Sequence, residues 1–350
     1  MTVLGAGAAF GRRETWASTW ARRVISVPMY LGLAAVCTLG APLWLLVAFV
    51  VDAARGQPGK RPRTRAVAFF ALYLVCEVLG LVVATGIWCA TLGGRIGGSE
   101  RYLGANAALQ RWWSSALFGG GALLFGWTLE VEGLELGRRG PLLLLVRHSS
   151  VADTVLTAAL VGNPNRLLMR YVLKRELLWD PCLDVVGQRL PNAFIDRRAA
   201  RKEAEVEAIA QLARGLDAGS AVLLYPEGTR FSRPKLERRM ASLRERGATE
   251  LLAIAETFRT VLPPHPGGAL ALLDAADGVD VVFVEHSGFE GAATFAEFWR
   301  GALVGRTIRV RLRRVAADAI PGAGRDRWLY EQWGLTDRWI QQSTDDGEDP

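Results

Sequence analysis

Apolar and polar positions are unevenly distributed along the chain. Residues 24–51 contain no charged side chain, and residues 66–94 contain one, Glu77. A membrane-spanning helix needs about 20 apolar residues, so either stretch is long enough to enter a bilayer. The first is too long for the apolar core of a signal peptide and lacks a clear small-residue cleavage site. Pro28 and Pro42 fall inside it, and proline removes a backbone donor, so a bent helix is expected there. Residues 101–127 are rich in aromatics and read as a helix lying along the membrane interface, where tryptophan and tyrosine prefer to sit.

From about residue 128 the pattern shortens. Residues 142–146, 221–225 and 281–284 are brief, continuously apolar runs, as expected of strands buried on both faces. Residues 199–216 form a charged amphipathic helical pattern. Residues 307–315 alternate Ile308, Val310 and Leu312 with Arg309, Arg311 and Arg313, the period of a half-buried strand with an arginine face. The expected fold is therefore α/β, a mixed central sheet flanked by helices, preceded by an N-terminal two-helix hydrophobic membrane module. The boundaries expected are 1–100 for the membrane-anchoring helix pair, 101–127 for the interfacial helix, 128–320 for the α/β domain, and 321–350 for a C-terminal helix and acidic tail.

Composition narrows the class. Half of the 350 residues are hydrophobic and 22% are charged, which excludes a disordered chain. The net charge is +7, although Asp345, Asp346, Glu348 and Asp349 gather acid at the C-terminus. Beside two apolar segments, such a basic balance fits anionic lipid better than nucleic acid, for which no motif is present. Lys and Arg flank the apolar segments on both sides, including Arg55, Lys60, Arg61, Arg63 and Arg65 between them. A simple two-span hairpin would place the positive charge on one side. Charge on both sides favours a hairpin that dips into one leaflet and returns. Cys37, Cys76, Cys89 and Cys182 make neither a disulfide framework nor a zinc pattern. The expected location is the inner or cytoplasmic membrane, with the α/β domain facing the cytosol.

Candidate chemistry collects at strand ends. Residues 142–154 read LLLLVRHSSVADT. His148 follows a buried strand, where α/β sheets place ligands, and Ser149 or Ser150 is suited to cap the next helix. Asp153, one turn on, is placed to reach back to the imidazole and fix its tautomer. Taken alone, a histidine and an aspartate five apart also suit a structural pair or half a metal site. Only His265 and His286 remain to complete one. Residues 221–230 read AVLLYPEGTR, a second strand running into a tight turn with Glu227, Gly228 and Arg230. Residues 191–198 read PNAFIDRR and end in a guanidinium pair, Arg197 and Arg198, suited to a phosphate. Residues 261–268, VLPPHPGG, form a rigid turn-rich loop.

Together these blocks resemble the lysophospholipid, or 1-acylglycerol-3-phosphate, acyltransferases of the glycerolphosphate acyltransferase superfamily. His148 and Asp153 match an H-x4-D motif, 194–197 a second block, 226–230 a third, and 262–264 a proline block. His265-Pro266-Gly267-Gly268 departs from the family pattern. The resemblance covers roughly residues 128–290. It implies transfer of a fatty acyl group from acyl-CoA or acyl carrier protein to the free hydroxyl of a lysophospholipid, most simply lysophosphatidic acid. His148 and Asp153 would be catalytic; Arg197, Arg198, Arg230, Glu227 and Gly228 would form the phosphate site. No metal or bound cofactor is implied. Another lysophospholipid or a lyso-glycolipid is the alternative acceptor. A hydrolase using Ser149 or Ser150 lacks a G-x-S-x-G elbow, and a non-catalytic lipid-binding scaffold would not need the polar sets at both strand ends.

Overall fold

A computed structural model describes residues 15–196, 202–292 and 294–345. The N-terminal part holds α1 (Trp16–Leu39), α2 (Ala41–Ala54), α3 (Pro62–Thr91) and α4 (Gly98–Phe125). The α/β part follows in the order β1 (Thr128–Glu132), β2 (Leu142–Val146), β3 (Leu168–Lys174), α5 (Pro181–Val185), β4 (Ala193–Ile195), α6 (Lys202–Ala213), β5 (Ser220–Leu224), α7 (Arg233–Glu245), α8 (Thr249–Ala255), α9 (Pro266–Ala275), β6 (Asp280–Ser287), α10 (Phe295–Trp299), β7 (Thr307–Val315) and α11 (Arg325–Asp345).

The seven strands form one sheet in the order β1-β7-β6-β2-β5-β3-β4. Neighbours are parallel except β6 and β7, which run antiparallel. The central strands bury both faces, which explains their unbroken apolar runs. Leu143, Leu145, Val222, Val281 and Phe283 pack under α6, α9 and α11. Leu142, Leu144, Val146, Leu223 and Val284 pack on the opposite face with Phe125, Leu156 and Phe289. On β7 the apolar residues enter this second core, while the arginine face is covered by α11. Arg311 and Arg313 pair with the buried Glu285 at 2.5 and 3.3 Å, and Arg311 stacks on Trp339.

The first apolar stretch does not bend at a proline; it breaks at Gly40. Pro28 is carried inside α1, and Pro42 falls in the first turn of α2, where no intrahelical donor is lost. Among the described residues, α1 and α3 are the two helices long and apolar enough to cross a membrane. α3 nevertheless lies along the rest of the protein. Pro62 abuts Gly301, Arg65 donates to the Leu124 carbonyl, Phe69 meets Phe298, and the Tyr73 hydroxyl donates to Asp180 at 2.6 Å. Glu77 is buried and accepts from the Trp113 indole at 2.8 Å and the Cys182 amide at 3.1 Å, and the Ala84 carbonyl accepts from Arg189. These contacts cover about 33 Å of helix at 1.5 Å per residue, whereas a spanning helix would touch a water-soluble domain near one end. The other side of α3 exposes Phe70, Val75, Leu79, Val82, Val83 and Trp88. At the start of α1, Arg22 and Arg23 pair with the buried Asp184 at 2.7 and 2.9 Å. Both basic flanks are thus attached to the α/β domain.

Candidate active site

The C-terminal ends of β2, β5 and β6 lie side by side, because these three strands are adjacent and parallel. That edge gathers the sequence blocks. Beyond β2, His148 Nδ1 lies 2.9 Å from Asp153 Oδ1. Asp153 Oδ2 accepts the Ser149 and Ser150 amides at 2.6 and 2.7 Å. The helix cap expected of a serine is thus inverted: the aspartate holds the serine amides and closes the turn around His148. Asp153 is fully buried, and burial alone would raise its pKa. Its neighbours, His148 first, then His286 and the Ser150 amide, together outweigh burial and hold the carboxyl below its usual range. It is therefore an anion near neutral pH. With Asp153 accepting, the imidazole carries its proton on Nδ1 and leaves a lone pair on Nε2.

His148 forms part of the wall of a cavity of about 1630 Å³. Gly228, Arg230 and His265 line it too, as do Lys174 and Asp180. Its remaining walls are largely apolar and extend to Val36, Trp44, Val47, Phe69 and Phe70 of the N-terminal helices. The Tyr225 ring packs 4.5 Å from the imidazole, and its hydroxyl donates to the Asp153 carbonyl. Burial pushes the Tyr225 pKa well above its ordinary value, so this hydroxyl stays neutral.

Glu227 departs from its expected role as a phosphate contact. It is fully buried beneath the site and faces backbone. Its Oε1 accepts the His148 amide and its Oε2 the Leu262 amide, each at 2.9 Å. A carboxylate so placed holds two loops in register and would repel a phosphate rather than bind it. Gly228 adopts φ +67°, which closes the turn on the Tyr225 carbonyl. Arg197 and Arg198 lie outside the described residues. The proline block joins the site through a hydrogen bond from the His265 amide to the Pro226 carbonyl at 2.9 Å. Ser149 and Ser150 are buried; the Ser150 hydroxyl donates to the Ala292 carbonyl. Among the described residues the His148 ring bonds only Asp153, so neither serine is paired with it as a nucleophile would be.

Several contributors are invisible in the motifs. Arg147 is fully buried and donates to the carbonyls of His286 and Thr260 and to the Glu290 carboxylate. Burial would raise the Glu290 pKa, but Arg147 outweighs it and the carboxyl is held low. His286 is also buried, and its Nε2 lies 3.0 Å from the Arg147 carbonyl. Burial lowers its pKa more than Asp153 raises it, so the ring stays neutral. A guanidinium directly after five apolar strand residues was the one available signal.

Residues 128–282 match the Acyltransferase family model. Over 231 residues the chain is 29% identical to a lyso-ornithine lipid O-acyltransferase of Brucella abortus (strain 2308), covering 57% of this chain and 80% of that protein. The α/β domain is thus similar to the acyltransferases of the glycerolphosphate acyltransferase family. The fold is also that of the 1-acyl-sn-glycerophosphate (LPA) acyltransferase PlsC from Thermotoga maritima, with a TM-score of 0.50 at 14% identity, over 80% of this chain and 98% of that one. The protein is thus an acyl-transfer enzyme, and the wall bearing His148 is the candidate place for that transfer.

Proposed function

We propose that this acyltransferase moves a fatty acyl group from acyl-CoA or acyl carrier protein to the free hydroxyl of a lysophospholipid, with lysophosphatidic acid as acceptor and phosphatidic acid as product. The observation that carries the reading is the meeting of His148 and Arg230 on one wall of a cavity that is otherwise apolar and continues among α1, α2 and α3. His148 Nε2 takes the hydroxyl proton while the oxygen attacks the thioester carbonyl. The C–S bond then breaks, and the leaving thiolate receives that proton from the imidazolium. Asp153 orients the ring and stabilises its charged form. Arg230 takes the acceptor phosphate, with Arg197 and Arg198 as the proposed further clamp. The reading requires no metal or bound cofactor. Purified enzyme in detergent, offered a panel of lysolipids with labelled acyl donor, is expected to acylate lysophosphatidic acid fastest. Release of free fatty acid without acceptor acylation would instead indicate a hydrolase.

The Brucella relative favours a second reading, acylation of a lyso-ornithine lipid. The carboxylate of Asp180 on the cavity wall is chemically suited to an acceptor amine. The same panel separates the two readings when it includes that lipid.

We further propose that the enzyme rests in the cytosolic leaflet without crossing the bilayer, the lipid-facing sides of α1, α2 and α3 immersed. Arg55, Lys60, Arg61, Arg300 and Arg306 make no ion pair among the described residues. Arg55, Lys60 and Arg61 lie in the α2–α3 connector, where Arg61 sits over the exposed Phe49 ring, and Arg300 adjoins the contact of Gly301 with Pro62. A basic residue near an anionic surface contributes about 1 kcal/mol. Replacing Arg55, Lys60 and Arg61 together by glutamine should therefore weaken partitioning onto anionic vesicles on the order of 10²-fold. Binding to neutral vesicles should hardly change. Equal loss on both would place these residues in folding rather than lipid attraction.

A further inference from the structure

The C-terminal helix α11 lies wholly beyond the matched residues 128–282, yet it reaches the site. Asp337 on α11 is buried, and its carboxylate accepts the amides of Arg259, Thr260 and Val261 at 3.0, 2.6 and 3.1 Å. The Thr260 hydroxyl adds a fourth bond at 2.7 Å. The next amide, Leu262, is the one held by Glu227. Two carboxylates from distant elements therefore grip four successive N–H groups of a single loop. Two routes lead from that loop to His148. One passes through Glu227, whose other oxygen holds the His148 amide. The other passes through Arg147, which precedes His148 and donates to the Thr260 carbonyl at 3.0 Å.

We infer that Asp337 is a positioning residue for His148, fixing the 259–262 loop against which Glu227 and Arg147 set the histidine backbone. The inference rests on the proposed role of His148 as general base. α11 does not depend on Asp337 for its attachment. Trp328, Leu329, Tyr330, Trp333 and Ile340 pack into the core, and the Thr336 hydroxyl donates to buried Glu285 at 2.9 Å. What Asp337 adds is satisfaction of amides that have no other acceptor in the loop. A buried donor without a partner drives local rearrangement, and a shift of about 1 Å at a reacting group lowers rate on the order of 10²-fold.

Asp337→Asn keeps the size of the side chain but turns one acceptor oxygen into a donor group facing amides. It should lower kcat on the order of 10²-fold while leaving the KM for lysolipid near its original value. Thr336→Val, one position away, removes an α11 anchor without touching the loop. It should lower the Tm and leave kcat unchanged. Combined with Glu227→Gln, Asp337→Asn should lose less than the product of the single losses, by roughly tenfold, because both act on one loop. Thr260→Val, which removes only the hydroxyl bond, should lower kcat in the same direction by less, and it serves as the test if Asp337→Asn does not fold. Wild-type kcat in Thr260→Val or in folded Asp337→Asn, or fully multiplicative losses, overturns the inference. An active His148→Ala would instead remove the reading beneath it, so the two failures are distinguishable.

Discussion

Replacing His148 by alanine is expected to lower acyl transfer about 10²–10⁴-fold, the usual contribution of a general base. Structural collapse should not accompany the loss. The ring is the more exposed member of its pair, at 12% against 0% for Asp153, and Asp153, the Ser149 and Ser150 amides and Glu227 hold the backbone by bonds that do not involve the imidazole. Asp153→Asn should be at least as damaging. Its amide group would face two backbone N–H donors, and it would no longer stabilise the imidazolium. The two variants are thus expected to differ in Tm more than in rate, Asp153→Asn being the less stable. Initial rates with labelled donor and thermal unfolding in detergent check both statements. Near-full acyl transfer by folded His148→Ala would sink the assignment.

What the motifs revealed and what they concealed follow from one physical difference. His148, Asp153, Gly228 and Arg230 stand in local contexts that are readable along the chain: a strand ends, a turn follows, and a polar side chain is placed where a sheet exposes its strand ends. Glu227 shares that context, yet its side chain points inward. Only the approach of Leu262, 35 residues on, decides that its partners are amides. Asp337 is farther still, on a helix whose pattern shows only its apolar face. Long-range pairing of a carboxylate with backbone leaves no periodic trace, so the resemblance of the 226–230 block placed Glu227 at the substrate with nothing in the local sequence to correct it.

The fold was legible for a similar reason. Strands buried on both faces and a β7 of period two leave their mark in the apolar pattern. The membrane helices were legible as apolar lengths but not as placements. The length of α3 permits a span, while Arg65, Tyr73, Glu77 and Ala84 tie it sideways to the α/β domain. The lone charge that looked anomalous in the apolar stretch, Glu77, is one of these ties. Basic residues on both flanks become intelligible once Arg22 and Arg23 at one end, and the Pro62–Gly301 contact at the other, are attached to the same domain.

Glu227→Gln is expected to change both activity and the pH dependence of stability. Burial pushes the Glu227 carboxyl up to about 7, against the His148 and Leu262 amides and the charge of Arg147, while Asp153 adds to the rise. The groups around it are Arg147 and His148 from the β2 end, Asp153 from the following turn, and Arg239 of α7, which donates to the Glu227 carbonyl. A folded-state pKa above the unfolded value means that folding takes up a proton. The stability so gained is fully present below the unfolded carboxyl range and is lost as pH rises to about 7. A fully buried group shifted this far contributes on the order of 3 kcal/mol across that window. Activity runs the opposite way. Only the carboxylate accepts both amides, so deprotonation tightens the His148 backbone while stability declines. Wild-type Tm should therefore fall between about pH 4.5 and 7 relative to Glu227→Gln, in which this site no longer titrates. The glutamine variant, with one acceptor oxygen for two amides, should be slower on the order of 10²-fold above about pH 7, and the gap should narrow in acid because the variant lacks the part of the acid limb that Glu227 supplies. Parallel Tm profiles for the two proteins, or equal rates at neutral pH, would show that the carboxylate neither titrates in this range nor holds the histidine.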